Sequence, residues 1–322
     1  MFDVVALGEL LIDFVCESVD NDGYPTMAAH PGGAPANFLA AISKYGMSTS
    51  FIGKVGNDTF GNLLYNTIVN AKICPKGIIK CDDAFTTLAF VTLDQYGNRG
   101  FSFSRKPGAD MMLKSSEINY QMLRNTRVFH FGSLSLSCEP SRTATMKALA
   151  AAKDSSSIIS FDPNFREPLW DNVENAKQAM LWGLGQADIV KISVEEANFL
   201  FGLAAEESAA YIHDEYGVKL VYVTCGRSGC YYRGDNASGF VPAIKNIKVV
   251  DTTGAGDIFG GSAMWKLLQS KKKLEELTSE DLDDICRFAA VAAGLSTTKF
   301  GGISSIPSLS EVYEALPLVC ES

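Results

Sequence analysis

Two kinds of hydrophobic patterning divide the chain. From about Ser116 onward, short β-rich apolar runs (RVFHFGSL, SSIISFD, ADIVKIS, VKLVYVT) alternate with helical patterns such as SRTATMKALAAA and VENAKQAMLWGL. That rhythm predicts a mainly parallel sheet covered by helices. Right-handed crossovers then bring the strand C-termini, and any site they carry, to one edge. A Gly-bounded pair, GCYYRG and SGFVPA, reads as a hairpin; a helix opened by GAGDIFGG follows, and a long one runs from about Asp281 to Lys299. The charge run KKKLEELTSEDLDD reads as solvated helix ends, with a cap near Thr278 or Ser279.

The first hundred residues behave differently. TTLAFVTLDQYGNRGFSFSR alternates on both sides of a turn at Tyr96-Gly97-Asn98, the pattern of an antiparallel hairpin. With the stretch from Leu11 to His30 it is expected to form a small sheet projecting from the core as a lid, from about 12–30 and 86–106. No linker composition or internal repeat separates two halves, so 1–322 is read as one α/β domain, whose 322 residues allow a sizeable core.

Composition narrows the function. Apolar residues make up 47% and charged residues 20%, as in a globular chain, and the net charge of −9 disfavours a nucleic-acid surface. An anion must therefore be bound by local groups. No apolar run approaches the roughly 20 residues of a membrane span, and no secretory leader is evident. The eight cysteines contain no CxxC and are expected to be reduced, mostly buried thiols of a cytoplasmic protein.

The densest chemical signal is VVDTTGAGDIFGG. A β-branched run, a Gly-rich turn and a helix start leave backbone N–H groups unpaired at the positive end of the helix dipole, where an anion is stabilised. Asp257 would be misplaced in a simple phosphate cradle. As a base beside an anion hole it could take a proton from a hydroxyl while Gly254, Ala255 and Gly256 stabilise the transferred group. Phosphoryl transfer fits; an N-terminal Asp serving only its own helix dipole is the plainer alternative. GxxxxGK[ST] is absent, and the spacing GxGxxxG is not that of a dinucleotide loop. A hydrolase has little support, with three His and no GxSxG. The second signal is HPGGAPANFLAAISKYG, where Gly32-Gly33 exposes backbone and Asn37 can donate and accept toward a polyol. Asp13 could accept two sugar hydroxyls.

PGGAPANFLAAISKYG and DTTGAGDIFGG resemble the two signatures of the ribokinase-like (PfkB) carbohydrate kinases, and the resemblance runs essentially end to end. TLAFVTLDQYGNRGFSFSRKPGADMML, FHFGSLSLS and DPNFREPLW are similar to the fructokinases within that family. The resemblance implies a three-layer ribokinase-like core with a small antiparallel β-sheet lid. It implies ATP-dependent phosphorylation of D-fructose to fructose 6-phosphate, with Asp257 as base and Gly254, Ala255 and Gly256 as the anion hole. Asp13, Gly32, Gly33, Asn37, Phe103, Arg105 and Arg166 would hold the sugar. Ser193, Thr224, Gly226, Gly229 and Thr252 would meet ATP. Glu196, from an N-x-x-E motif in which Ser193 replaces Asn, would act on Mg²⁺ through water, with Glu195 a competitor. Carbonyls around Asp251 and Thr253, with the KFGGISS loop, would hold a monovalent cation such as K⁺. A homodimer through the lid is consistent with the family. Kinases of ribose, 2-keto-3-deoxygluconate or a phosphosugar remain alternatives, as does a non-catalytic regulator. A phosphosugar should need more cations near the lid than Arg99, Arg105 and Lys106.

Overall fold

The computed structural model describes residues 1–93 and 99–317. The turn expected at Tyr96-Gly97-Asn98 lies outside the described residues. The strands, in chain order, are β1 (Phe2–Leu7), β2 (Leu11–Val19), β3 (Pro25–Gly32), β4 (Thr49–Gly56), β5 (Cys74–Cys81), β6 (Leu88–Leu93), β7 (Arg99–Ser104), β8 (Thr126–Gly132), β9 (Ile158–Asp162), β10 (Ile189–Ser193), β11 (Leu220–Thr224), β12 (Gly229–Gly234) and β13 (Ser238–Pro242).

Nine of them form one sheet in the order β13-β12-β11-β10-β9-β8-β1-β4-β5. It is parallel from β5 to β11, and the predicted GCYYRG/SGFVPA hairpin supplies the antiparallel edge. Side chains alternate between two apolar layers: Val4, Ala6, Leu220 and Tyr222 face one, while Val5, Leu7, Val221 and Val223 face the other. Burial on both faces is why these strands read as continuous apolar runs. The first layer contains the Ala34–Lys44, Ala255–Ser270 and Ser279–Ser296 helices, and the second the Ser141–Asp154 and Val173–Leu184 helices. Thr278 caps the Ser279–Ser296 helix as anticipated, its side chain accepting the Asp281 N–H. Gly261 lets two helices meet, because a Cβ there would overlap the Phe38 carbonyl.

The remaining four strands form a second sheet in the order β3-β2-β6-β7. Each hairpin is antiparallel, but the central pair, β2 with β6, runs parallel. Antiparallel alternation belongs to the hairpins, and their assembly needs a non-local pairing that local pattern does not encode. The apolar N-terminal run is two strands: at Gly8-Glu9-Leu10 the chain leaves the large sheet for the small one.

All seven described cysteines are free, though only Cys81, Cys230 and Cys286 are fully buried, fewer than the composition suggested. Among the described residues no helix is long and apolar enough to cross a membrane.

Candidate active site

A cleft of about 420 Å³ lies where the strand order reverses, between β1 and β8. This is the position expected of a site in an open parallel sheet. The small sheet contributes Leu11, Asp13, Val91 and Phe103 to its wall; the core side contributes Asn37, Asn164, Arg166, Thr252, Thr253, Gly254 and Asp257.

Gly254, at φ +75°, turns the chain into the Ala255–Ser270 helix, which places Asp257 in the first turn. Gly256 is one residue earlier, where no intrahelical acceptor exists for its N–H. The Ala255 N–H is directed back to Thr252 O at 3.3 Å. Asp257 is buried, and both its oxygens are engaged: Asn37 Nδ2 donates to Oδ2 at 2.8 Å and Asn164 Nδ2 to Oδ1 at 3.0 Å. Burial and the nearby Asp162 push its carboxyl up to about 6, against Lys191, Asn37 and Arg166. A carboxylate so poised can accept a proton near neutral pH.

Gly33, at φ +118°, caps the Ala34–Lys44 helix, and a Cβ there would stand 2.5 Å from the Glu9 carbonyl. Gly32 has another reason to be glycine, since a Cβ would overlap Asp13 Oδ2. Burial raises Asp13 to about 7, opposed by Arg166 and reinforced by Asp257 and Asp251. Arg166 is exposed at the rim, its Nη1 donating to Phe165 O at 2.9 Å.

A model of the pfkB family of carbohydrate kinases matches residues 1–309. The chain belongs to this family. Fructokinase-1 of Zea mays is 39% identical over 316 residues, covering 97% of each chain. The fructokinase of Xylella fastidiosa, solved with bound ATP, superimposes with a TM-score of 0.88 at 31% identity, over 100% of this chain and 99% of that one. The Vibrio cholerae fructokinase, solved with fructose, ADP and calcium, gives 0.87 at 30%, over 98% and 99%.

In this pfkB kinase the expected residues do not all reach the cleft. Asp13, Gly33, Asn37, Phe103, Arg166, Thr252, Thr253, Gly254 and Asp257 line it. Arg105 does not: its guanidinium is buried against Asp110, with Nε and Nη2 at 2.9 and 2.7 Å from Oδ2. The hairpin pattern predicted the strand but not that Asp110, five residues on, would turn the arginine away. Thr224, Gly226 and Gly229 sit at the β11–β12 turn, where Gly226 and Gly229 adopt φ of +52° and +133°. Ser193 accepts the Glu196 N–H, while Glu196 accepts from Ser193 N at 2.9 Å and Phe165 N at 2.6 Å. Asp251 binds Thr253 N–H and Oγ1 through Oδ1 and Gly301 N–H through Oδ2. The KFGGISS loop is thereby tied beside Thr253, and Gly302 packs so closely on Asn37 that a Cβ would overlap its amide.

Four residues went unassigned in the sequence. Glu9 lines the cleft and accepts the Ala34 N–H at 3.0 Å. Asn164 holds the base from φ +44°, a conformation Asn tolerates. Lys191 and Asp162 form a buried ion pair at 3.0 Å behind Asp257.

Proposed function

We propose that the chain is an ATP-dependent kinase that transfers the γ-phosphoryl group to a hydroxyl of D-fructose, giving fructose 6-phosphate. The observation that carries this reading is Asp257, fixed by two amides in the first turn of a helix and lining, with Gly254, a cleft walled by the small sheet. Asp257 acts as the base toward the acceptor hydroxyl. Gly254 and Gly256 supply the anion hole, with Ala255 contributing once its N–H leaves Thr252. Asp13, Gly33, Asn37 and Arg166 hold the sugar against Phe103, and Gly32 gives Asp13 its room. Transfer of this kind depends on positioning and charge stabilisation more than on covalent help.

ATP approaches from the β11–β12 turn, where Thr224, Gly226 and Gly229 lie, with Ser193 and Thr252 nearer the phosphates. Mg²⁺ supplies charge neutralisation on those phosphates. Glu196 would meet it through water, because each of its oxygens keeps a lone pair beyond the bonds to Ser193 and Phe165. K⁺ would use carbonyls of Asp251 and Thr253 with the Gly301 loop, which the Asp251 carboxylate already draws together. We read 1–322 as one kinase domain with the small sheet as its lid, excluding water from the transferred group. A cytoplasmic location and a homodimer through that lid belong to the same reading.

The test is an ADP-release assay across free sugars and sugar phosphates. Turnover is expected with fructose, and strong activity on fructose 6-phosphate with none on fructose overturns the assignment.

A further inference from the structure

Behind the base lies a charge pair that the proposed reaction does not otherwise use. Lys191 projects from the middle of β10, a strand otherwise apolar up to its last residue. Its Nζ is 3.0 Å from Asp162 Oδ2, with side chains only 12% and 7% exposed. A Cβ on Gly256 would stand 2.9 Å from that Nζ, so the ammonium lies directly against the helix start.

We propose that Lys191, held by Asp162, is a positioning residue that braces the anion hole from beneath and keeps the Asp257 carboxylate charged. The inference rests on the kinase reading above. A buried lysine without partners would shed its proton. Burial does oppose the charge on Lys191, but Asp162, Glu196 and Asp257 outweigh it and hold the group at about 12. The ammonium is therefore permanent across the working range, and it adds to the positive end of the helix dipole on the side away from the cleft. The groups facing Asp257 are Asp162 from β9, Arg166 from the loop after β9, Lys191 from β10 and Asp13 from β2. Glu196 and Asp251 act at one remove, through Lys191 and Asp13. Among these, only Lys191 and Arg166 favour the charged base, and Arg166 is exposed.

The experiment measures kcat against pH for the full-length wild type, Lys191→Met, Asp162→Asn and the double variant, with thermal melts as fold controls. The acceptor is whichever sugar the wild type phosphorylates. Lys191→Met should move the acid limb up by about one pH unit and lower plateau kcat by at least about tenfold. Asp162→Asn should move the limb down. The double variant should have a limb above that of Asp162→Asn, and this comparison decides the matter if Lys191→Met does not fold. A merely structural pair would lower kcat in every variant with the limb unmoved, and that result overturns the proposal. Wild-type turnover on a sugar other than fructose corrects the substrate and leaves this test intact. No turnover on any sugar overturns both.

Discussion

Asn37 Nδ2 donates to Asp257 Oδ2 at 2.8 Å across 220 residues of sequence, joining the two Gly-rich signatures in one hydrogen bond. The helix start at Gly33 and the helix start at Gly254 therefore build one site from both ends of the chain. Asn37 Oδ1 is buried against Gly302 and has no hydrogen-bond partner among the described residues, while Nδ2 steers the base.

Replacing the base is the first prediction. Asp257→Ala should lower kcat by about 10²- to 10⁴-fold, the range of general base catalysis. Fructose should still bind, because Asp13, Gly33 and Arg166 are untouched. Calorimetric titration with fructose beside the ADP-release assay separates these effects, and near-normal turnover would refute the role of Asp257.

The activity profile should report the same carboxyl. Asp257 is held at about 6, and a base must be ionised to work. Activity should therefore fall as pH drops through about 6 and level off above about 7. Asn37→Ala removes a hydrogen bond that favours the charged form, so its acid limb should lie higher. A limb near pH 4 in the wild type would contradict this.

Stability of the sugar-free protein should run the opposite way from habit. Glu9 and Asp13 are raised to about 7 and Asp257 to about 6, mainly by burial, so the folded chain binds protons there that the unfolded chain has lost. Stability then decreases as pH rises from about 5 to 7. His130, buried and lowered to about 4, opposes this below its ordinary value, but it is one group against three carboxyls. Melting temperature should rise on acidification from pH 8 to 6 in a constant-salt series, and a flat or falling trend would show those carboxyls to be better compensated.

The legible parts of this protein were those written in local pattern. Short continuous apolar runs located the core strands, alternation located the β6–β7 hairpin, and the glycines at 254 and 256 with Asp257 located the helix start. The parallel pairing of β2 with β6 was hidden because it is a relation between distant segments. Asn164 and Asp162 lie inside DPNFREPLW, but only the fold turns them toward Asp257 and Lys191. Lys191 did leave a signal: a charge at the centre of an otherwise apolar parallel strand must find a buried partner. The Gly301-Gly302 pair became intelligible once Asp251 and Asn37 were seen on either side of it.

A glycine substitution tests the geometry beneath the sugar. In Gly32→Ala the new Cβ overlaps Asp13 Oδ2, and the carboxylate must swing away from the cleft. Losing hydrogen bonds to a charged group corresponds to about tenfold to hundredfold in sugar KM. ATP KM should change little, since Gly32 and Asp13 lie on the sugar side. An unchanged sugar KM would remove Asp13 from substrate binding.

The two arginines assigned to the sugar should behave differently from one another. Arg105 and Asp110 are 4% and 3% exposed, and Asp110 also accepts from Thr87. Arg105→Ala strands a buried carboxylate, a loss of about 3–5 kcal/mol when one partner of such a pair is removed. The expected result is a large fall in melting temperature, with sugar KM affected only through the disturbed β7 wall. Arg166 is exposed at the rim and, among the described residues, hydrogen-bonded only to a neighbouring carbonyl, so Arg166→Ala should leave the melting temperature within about 2 °C, a surface-like change. Its cost should fall on substrate KM and kcat, because it loses a cation facing Asp13 and Asp257. Melts and kinetics on the pair decide between the roles: a stable Arg105→Ala with a raised sugar KM would return Arg105 to the sugar site.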